Sequence, residues 1–195
     1  MKLHCNKFYT GVGARETPED ILEYIRKVGK RMAELNYIGR SGSADGADYY
    51  FELGYFDYLK DAQTNNTECP TFFNSYIPWN NFKTKHGVIF VDKYHSCPQQ
   101  FGNYKEAKTI VSIIHPAYNK LTRGALALHT RNIYQVLGDS LDSPSKVLFC
   151  YAQPTKTGVK GGTNTAYQLA LRHNIPCYNF YKQEDIDKIN KLLIL

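Results

Sequence analysis

The fold is decided by residues 147–165, which read VLFCYAQPTKTGVKGGTNT. The stretch opens with a continuous apolar run, Val147 to Ala152, as expected for a central parallel strand that is covered on both faces. A loop over 153–160, which we predict to be flexible, leads to the glycine-rich turn 161–165 and a helix from about Asn164 to His173. Strand, glycine turn and helix in this order predict one unit of a Rossmann-like α/β fold.

The same order of elements occurs twice more near the start of the chain. Residues 7–10 predict a strand that ends in a glycine turn, and Thr17 then predicts the N-cap of an amphipathic helix to about Asn36. A second strand over 37–40 precedes a polar turn and a helix that we expect to stop at Gly54. The repetition predicts a Rossmann-like three-layer α/β domain with a mostly parallel central sheet, built by residues 1–195 as a single domain.

The rest of the chain supplies further elements of both kinds. Apolar runs predict strands, and apolar residues at helical spacing predict helices. One of these helices ends at Gly138, and another lies at the C-terminus. The predicted strands cover 72–77, 86–91 and 175–180, the predicted helices cover 105–114, 121–137 and 184–193, and a loop covers 92–104.

Composition narrows the class of protein. The net charge of +6 favours anionic ligands, although the basic residues are spread along the chain rather than clustered. Five cysteines, an odd number with no CxxC pair, disfavour a disulfide framework or a structural zinc site and suit a reducing cytosol. The N-terminus shows no signal-peptide pattern, and no apolar run is long enough to cross a bilayer. We therefore expect a cytoplasmic protein without a membrane partner.

Candidate ligand-binding residues lie on the glycine turns, because turns after parallel strands meet beyond the carboxyl ends of the sheet. Glycine lets backbone N–H groups approach an anion, and a helix N-terminus adds positive potential. From the first turn we select Gly11, Gly13, Ala14 and Arg15. Arg15 would either pair with a phosphate or form a surface salt bridge. Glu16 falls where the third glycine of a dinucleotide fingerprint belongs.

The second turn is richer in polar groups. It offers Arg40, Ser41 and Gly42 as phosphate contacts, with Asp45 and Asp48 either binding ribose hydroxyls or capping the following helix.

The third turn is the most phosphate-like of the three. It comprises Gly161, Gly162, Thr163, Asn164 and Thr165, and the alternative is a tight loop in which Thr163 is only a helix N-cap. A Walker lysine is missing, which disfavours nucleoside triphosphate hydrolysis.

One further pair lies in the helix before the central strand. Arg131 and Asn132 would meet phosphate and base if they face the crevice, and otherwise form a solvated helical face. Since no histidines have the spacing of a metal site, we expect neither a metal nor another cofactor.

These turns, in this order, resemble the SLOG superfamily, which unites DNA-processing protein A (Smf) with the Lonely Guy phosphoribohydrolases. Residues 11–15 (GVGAR) are similar to its first turn, 40–48 (RSGSADGAD) to its S-G-x-A-x-G-x-D turn, and 161–166 (GGTNTA) to its G-G/S-T-x-T-A turn. Arg131-Asn132 is similar to its R-N pair. The resemblance covers both ends of the chain better than the segment 55–103, and it is nearest to short single-domain members encoded by bacteriophages and their hosts.

The resemblance implies different activities for different branches. Lonely Guy enzymes cleave nucleoside monophosphates with the glutamate of a P-G-G-x-G-T-x-x-E motif. Here Asn164 replaces the third glycine of that motif and Gln168 stands at the glutamate position, so the pattern favours binding over catalysis. DNA-processing protein A binds single-stranded DNA. Other members sense nucleotide signals, including cyclic ADP-ribose-type molecules made in antiphage defence.

Three hypotheses for function follow. In the first, the chain holds a phosphate-bearing nucleotide, for example an ADP-ribose-derived or cyclic signal, without cleaving it, and a phage-encoded copy would sequester such a signal in the host cytoplasm. In the second it binds single-stranded DNA, which its charge and its 16 tyrosines would suit. In the third it is a nucleotide hydrolase that uses Glu16, Asp45 or Asp48. The apolar C-terminus 192–195 predicts either a homo-oligomer interface or a part of the chain's own core.

Overall fold

The structure is a computed structural model that describes residues 7–66, 72–82 and 95–195. The strands of this part of the chain are β1 (Lys7–Gly13), β2 (Tyr37–Ser41), β3 (Phe73–Tyr76), β4 (His95–Ser96), β5 (Val147–Tyr151) and β6 (Cys177–Asn179). All of them are parallel and form one sheet in the order β4-β3-β2-β1-β5-β6.

Helices cover both faces of this sheet. They are α1 (Glu19–Glu34), α2 (Ala47–Thr64), α3 (Tyr104–Ile114), α4 (Arg123–Leu137), α5 (Thr163–Arg172) and α6 (Gln183–Leu193), with short 3₁₀ turns at Pro98–Gln100 and Tyr118–Lys120. Buried side chains of α1, α2 and α6 share one apolar core, and those of α3, α4 and α5 share the other. The predicted three-layer Rossmann-like fold is confirmed.

The apolar run of β5 follows from its position in the middle of the two cores. Side chains alternate across a strand, so Leu148 and Cys150 enter the α3-α4-α5 core while Phe149 enters the α1-α2-α6 core. All three are fully buried. A strand covered on both faces has no position left for a solvated polar side chain.

The sheet order reverses between β1 and β5. Strands β2, β3 and β4 follow β1 on one side, and the chain then returns to place β5 on the other side of β1. Such a reversal leaves a crevice beyond the carboxyl ends of the two strands, because the connections that follow them turn to opposite faces. The crevice is therefore bordered by the turns after Gly13 and after Tyr151.

Helix α2 corrects one prediction, since it continues ten residues past Gly54. The glycine serves packing and not termination. A Cβ at position 54 would overlap the backbone carbonyl of Arg26 in α1, so its absence lets the two helices approach closely.

Three smaller predictions also differ from the structure. Thr17 is not an N-cap: α1 begins at Glu19, and the Thr17 hydroxyl donates to the Ala14 carbonyl at 2.8 Å. The predicted loop 92–104 contains the two-residue edge strand β4, which is too short to show a periodic pattern. The predicted flexible loop 153–160 contains an antiparallel bridge. The predicted strand 86–91 lies outside the described residues.

The apolar C-terminus is divided between core and surface. Leu193 packs on the α1-α2-α6 core, whereas Leu192 and Ile194 are 64% and 82% exposed. The homo-oligomer stays a prediction. Within residues 7–66, 72–82 and 95–195, none of the helices is both long and apolar enough to cross a membrane.

We predict that Gly54→Ala destabilises the protein. The new methyl group meets backbone of α1, and such overpacking costs about 1–3 kcal/mol, more than the helix propensity of Ala returns. Gly124→Ala in α4 is the matched control, because a Cβ there has no atom within 4 Å among the described residues. Chemical denaturation should show a loss for the first variant and none for the second. Equal stabilities would contradict the packing role of Gly54.

Candidate ligand-binding site

A cavity of about 520 Å³ lies at the reversal point of the sheet. Its walls come from the turn after β1, the start of α2, the first half of α4 and the turn before α5. The lining residues are Val12, Gly13, Ala14, Arg15, Glu16, Ala44, Asp48, Ala125, Leu128, His129, Arg131, Asn132, Lys160, Gly161, Gly162 and Thr163.

Asp48 connects three of these walls. It lies in the first turn of α2 and is 3% exposed. Its Oδ1 accepts from the backbone N–H of Gly13 at 2.9 Å, and its Oδ2 lies 3.6 Å from an Nη of Arg131 in α4. The carboxylate thus fixes the turn after β1 relative to both helices.

Arg131 is part of the cavity wall, with its guanidinium engaged by the protein itself. The residue is 7% exposed. Besides the ion pair with Asp48, it donates to the carbonyl of Gly42 and lies 5.6 Å from the centre of the Phe82 ring. We infer that Arg131 stabilises the shape of the cavity more than it offers a free cation.

A second buried carboxylate, Glu52, lies one helical turn beyond Asp48. It accepts hydrogen bonds from the hydroxyls of Ser43 and Ser75, at 2.7 and 2.6 Å. Burial raises the pKa of Glu52 to about 7; the hydrogen bonds from the two hydroxyls oppose this shift, and the charge of Asp48 contributes to it. Burial likewise raises the pKa of Asp48 to about 6, although Arg131 lowers it. Asp48 in the cavity lining and Glu52 one turn further along α2 are therefore two acids that ionise late.

The N-terminus of α5 opens onto the cavity at Gly162 and Thr163. Asn132 of α4 holds this turn by donating to the Gly162 carbonyl at 2.9 Å. Among the described residues, the backbone N–H groups of Gly162 and Thr163 meet no acceptor. Unpaired N–H groups at a helix N-terminus are the feature that binds anions.

Two basic side chains stand at the rim. Arg15 follows β1 and Lys160 immediately precedes Gly161; both are exposed and both line the cavity. Neither forms a salt bridge within the part of the chain that the structure describes. Their charges are therefore available to a bound anion.

His129 contributes a neutral imidazole to the α4 wall. Its Nδ1 lies 2.7 Å from the Thr165 hydroxyl, and its ring packs edge-on against His115 with centroids 4.5 Å apart. Burial lowers the pKa of His129 to about 4, and the neighbouring His115 and Arg131 contribute to this shift in the same direction. The ring can exchange a hydrogen bond with a ligand but carries no charge at neutral pH.

The structure brings nine of the sixteen residues predicted from the sequence to the cavity. They are Gly13, Ala14, Arg15, Asp48, Arg131, Asn132, Gly161, Gly162 and Thr163. Asn132 and Arg131 thus lie in the crevice and do not form a solvated helical face.

The other seven predicted residues lie outside the lining, and most of them contact other parts of the protein. Gly11 packs against the Phe51 ring, Ser41 donates to the Asp48 carbonyl at 3.3 Å, and Gly42 accepts from Arg131. Asn164 accepts from Val159 N–H at 3.1 Å, and Thr165 lies on His129. Asp45 lies in the turn before α2.

Arg40 is the largest departure from the expected site. Its guanidinium donates to the Ser143 carbonyl at 2.6 Å and stacks over the Phe8 ring at 3.5 Å from its centre. The side chain of a strand residue points to a face of the sheet, so a charge inside β2 cannot reach the edge where the cavity lies.

Sequence reasoning did not select Lys160, His129 or the apolar residues Ala125 and Leu128 for binding. Lys160 directly precedes the glycine turn, and a basic residue at that position is a usable signal. The three residues of α4 precede Asn132 by three, four and seven positions, so helical spacing places them on the same side as that residue.

No protein-family model matches the sequence, and no curated protein matches it significantly. Among solved structures, the Moco carrier protein of Chlamydomonas rheinhardtii is 15% identical, with a TM-score of 0.46 over 96% of this chain and 84% of that one. DNA processing protein A from Helicobacter pylori, described for its single-stranded DNA binding mode, is 13% identical, with a TM-score of 0.38 over 96% and 80%. Likeness at this level carries no functional argument.

The structure is thus a Rossmann-like domain with a cavity at the reversal of its sheet. Across residues 7–66, 72–82 and 95–195, no cluster of three or more His, Cys, Asp or Glu side chains could hold a metal ion. The groups that can act on a ligand are the N-terminus of α5, the cations at the rim and the buried acids.

We predict that Glu52→Gln makes stability less dependent on pH. The pKa of Glu52 is higher in the folded protein than the 4.5 of an unperturbed glutamate, so the folded chain retains a proton that the unfolded chain releases. The free energy of unfolding of the wild type then falls as pH rises from about 4.5 to 7, by up to about 3 kcal/mol from this group.

Glutamine imitates the protonated acid at every pH. In denaturant unfolding at pH 4.5 and 7, the free energy of unfolding of the variant should increase relative to that of the wild type as pH rises. Parallel profiles for the two proteins would contradict a late-ionising Glu52.

Proposed function

We propose that this chain binds a phosphate-bearing nucleotide in the cavity and holds it without cleaving it. The observation that carries the proposal is Gly162, which lines the cavity although neither its backbone nor its packing requires glycine. Its φ and ψ of −63° and −27° are helical and open to any residue. A Cβ there has no atom within 4 Å among the described residues.

A glycine that the protein itself does not need is explained by a ligand that comes close to the backbone. The N–H groups of Gly162 and Thr163 are unpaired within the described chain, and a side chain at 162 would stand beside them. An anion at the start of α5 would accept from these groups and gain from the helix dipole. Phosphate is the common biological anion with this geometry.

The rim charges support a phosphate at this position. Arg15 and Lys160 approach the cavity from the turns after β1 and after β5, on either side of the reversal point. Arginine offers a planar pair of donors and lysine a point charge, and both groups pair well with phosphate oxygens.

The α4 wall of the cavity suits the non-phosphate part of a nucleotide. Ala125 and Leu128 of α4 supply an apolar wall, and His129 supplies a neutral hydrogen-bonding ring beside it. An apolar wall with a few fixed polar groups is typical of small-molecule sites. ADP-ribose-derived and cyclic nucleotides, the class suggested by the resemblance to nucleotide sensors, have both required parts, and the role of the protein would then be sequestration.

Retention without cleavage is supported by the carboxylates. Asp48 lines the cavity, but its oxygens are engaged by Gly13 and Arg131. Gln168, at the position where the resembled enzymes have glutamate, is not part of the lining. Glu16 is the remaining carboxylate of the lining, and it is the residue on which a hydrolase would have to depend.

Mass spectrometry of the supernatant after denaturing the purified protein would identify a co-purified nucleotide. We expect the ligand to be recovered unchanged. Chromatography after incubation with AMP, ADP, ADP-ribose and cyclic nucleotides then distinguishes binding from hydrolysis. If products form and Glu16→Gln abolishes their formation, the protein is a hydrolase and the sequestration proposal is wrong.

We predict that Gly162→Leu weakens binding of the nucleotide at least tenfold and leaves stability within about 1 kcal/mol of the wild type, because its Cβ meets no atom of the described residues within 4 Å and its side chain would occupy space beside the unpaired N–H groups. Calorimetric titration measures the affinity. Gly102→Leu is the matched control, since Gly102 is equally uncrowded but lies outside the lining. Unchanged affinity in Gly162→Leu would overturn the proposed position of the phosphate.

Single-stranded DNA is the competing occupant in this test. It predicts affinity that grows with oligonucleotide length and falls steeply with salt. A mononucleotide-sized ligand predicts no dependence on length. Binding of long oligonucleotides together with failure of every nucleotide in the panel would favour the DNA hypothesis.

A further inference from the structure

The segment between β5 and α5 is a short hairpin that carries Lys160 to the cavity. Its two arms are joined by backbone hydrogen bonds from Thr155 to the Gly158 carbonyl, at 2.9 Å, and from Lys160 to the Gln153 carbonyl, at 2.8 Å. These bonds fix the shape of the hairpin 153–160 itself. They do not fix its position relative to the rest of the domain.

Two amide side chains of α5 hold the hairpin in place. Gln168 donates through Nε2 to the Thr157 carbonyl at 2.6 Å. Asn164, one turn earlier on the same helix face, accepts from the Val159 N–H at 3.1 Å. One amide therefore donates to the hairpin and the other accepts from it.

Gly158 makes this contact a close one. A Cβ at position 158 would overlap Oδ1 of Asn164 and Nε2 of Gln168. The backbone of the hairpin consequently lies directly on the two amides. On the other side of this contact the chain passes through buried Val159 to Lys160 at the rim of the cavity.

We propose that Asn164 and Gln168 form an amide clamp that positions Lys160 for the anionic group of the ligand. The proposal rests on the nucleotide-binding function and deepens it, because it explains how a cation on a surface hairpin keeps a fixed place at the start of α5. Gln168 is a positioning residue: it acts on the ligand through the hairpin and Lys160.

The clamp also accounts for glutamine at position 168. Both groups around Nε2, the Thr157 carbonyl and Oδ1 of Asn164 at 3.5 Å, are hydrogen-bond acceptors. An ionised glutamate has only acceptor oxygens and cannot replace the donor. The position where the resembled hydrolases have a carboxylate is thus used here for a contact that a carboxylate would break.

Hydrogen exchange of the purified protein tests the clamp directly. We predict that the amides of Thr155, Val159 and Lys160 exchange at least tenfold faster in Gln168→Ala and Gln168→Glu, while the amides of β5 keep their rates. Gln183→Ala is the control, since the Gln183 amide also donates a hydrogen bond, but to the Asp187 side chain within α6 and away from the hairpin. Hairpin exchange that stays at the wild-type rate would overturn the clamp.

Titration with ADP tests whether the clamp acts through the lysine. Gln168→Ala should weaken ADP binding severalfold in the wild-type background and have no further effect in Lys160→Ala, since two residues that act as one unit are not additive. Lys156→Ala, on the same hairpin but outside the lining, should leave the affinity unchanged.

The outcomes separate the two proposals. Equal losses on Gln168→Ala with and without Lys160, or no loss at all, would overturn the positioning role. If the wild type fails to bind any nucleotide while the variants exchange faster, the clamp exists and the nucleotide-binding function is wrong.

Discussion

The buried carboxylate of Asp48 is the contact on which the candidate site depends. It joins the Gly13 backbone at the end of β1 to the guanidinium of Arg131 in α4, across the reversal point of the sheet. Removal of either charge would leave the other buried and unpaired, which costs about 3–5 kcal/mol. This polar link aligns the walls of the crevice. The two apolar cores do not supply such a link, because they lie on the two faces of the sheet.

The link has an electrostatic cost that the surrounding residues reduce. Glu52 lies one turn from Asp48 and raises the charge density in a buried region. Ser43 and Ser75 solvate Glu52 by hydrogen bonds, and Arg131 stabilises the ionised form of Asp48. Polar residues that look excessive for a core are thus explained by one another. Of these residues Asp48 and Arg131 line the cavity, whose rim residues Arg15 and Lys160 are exposed to solvent.

The sequence predicts the architecture because β5 and the glycine turns have local signals. An apolar run with no polar position determines a strand covered on both faces, and a glycine turn before a helical pattern determines its successor. The site is only half predictable. Gly13 and Gly162 are found from their turns, but Arg40 is misplaced because the direction of a strand side chain depends on register. The sequence around Gly54 is typical of a helix end, but Gly54 lies inside α2 at a close contact with α1. No local sequence pattern indicates such a contact between helices. Lys160 depends on a hairpin that is held by α5.

The amide clamp separates two parts of the candidate site: buried residues that the fold constrains, and a surface hairpin whose tip the fold constrains less. Asn132 and Asp48 are buried among α2, α4 and α5, so most substitutions there affect the whole domain. The tip of the hairpin, Thr155 to Thr157, is exposed and lies outside the cavity lining, and the Thr157 carbonyl accepts the hydrogen bond from Gln168. A backbone acceptor does not depend on the side chain that it carries, so the side chains of the tip can change while the hydrogen bond stays. In a domain of this design, sequence change in one surface turn is separated from the residues that shape the cavity.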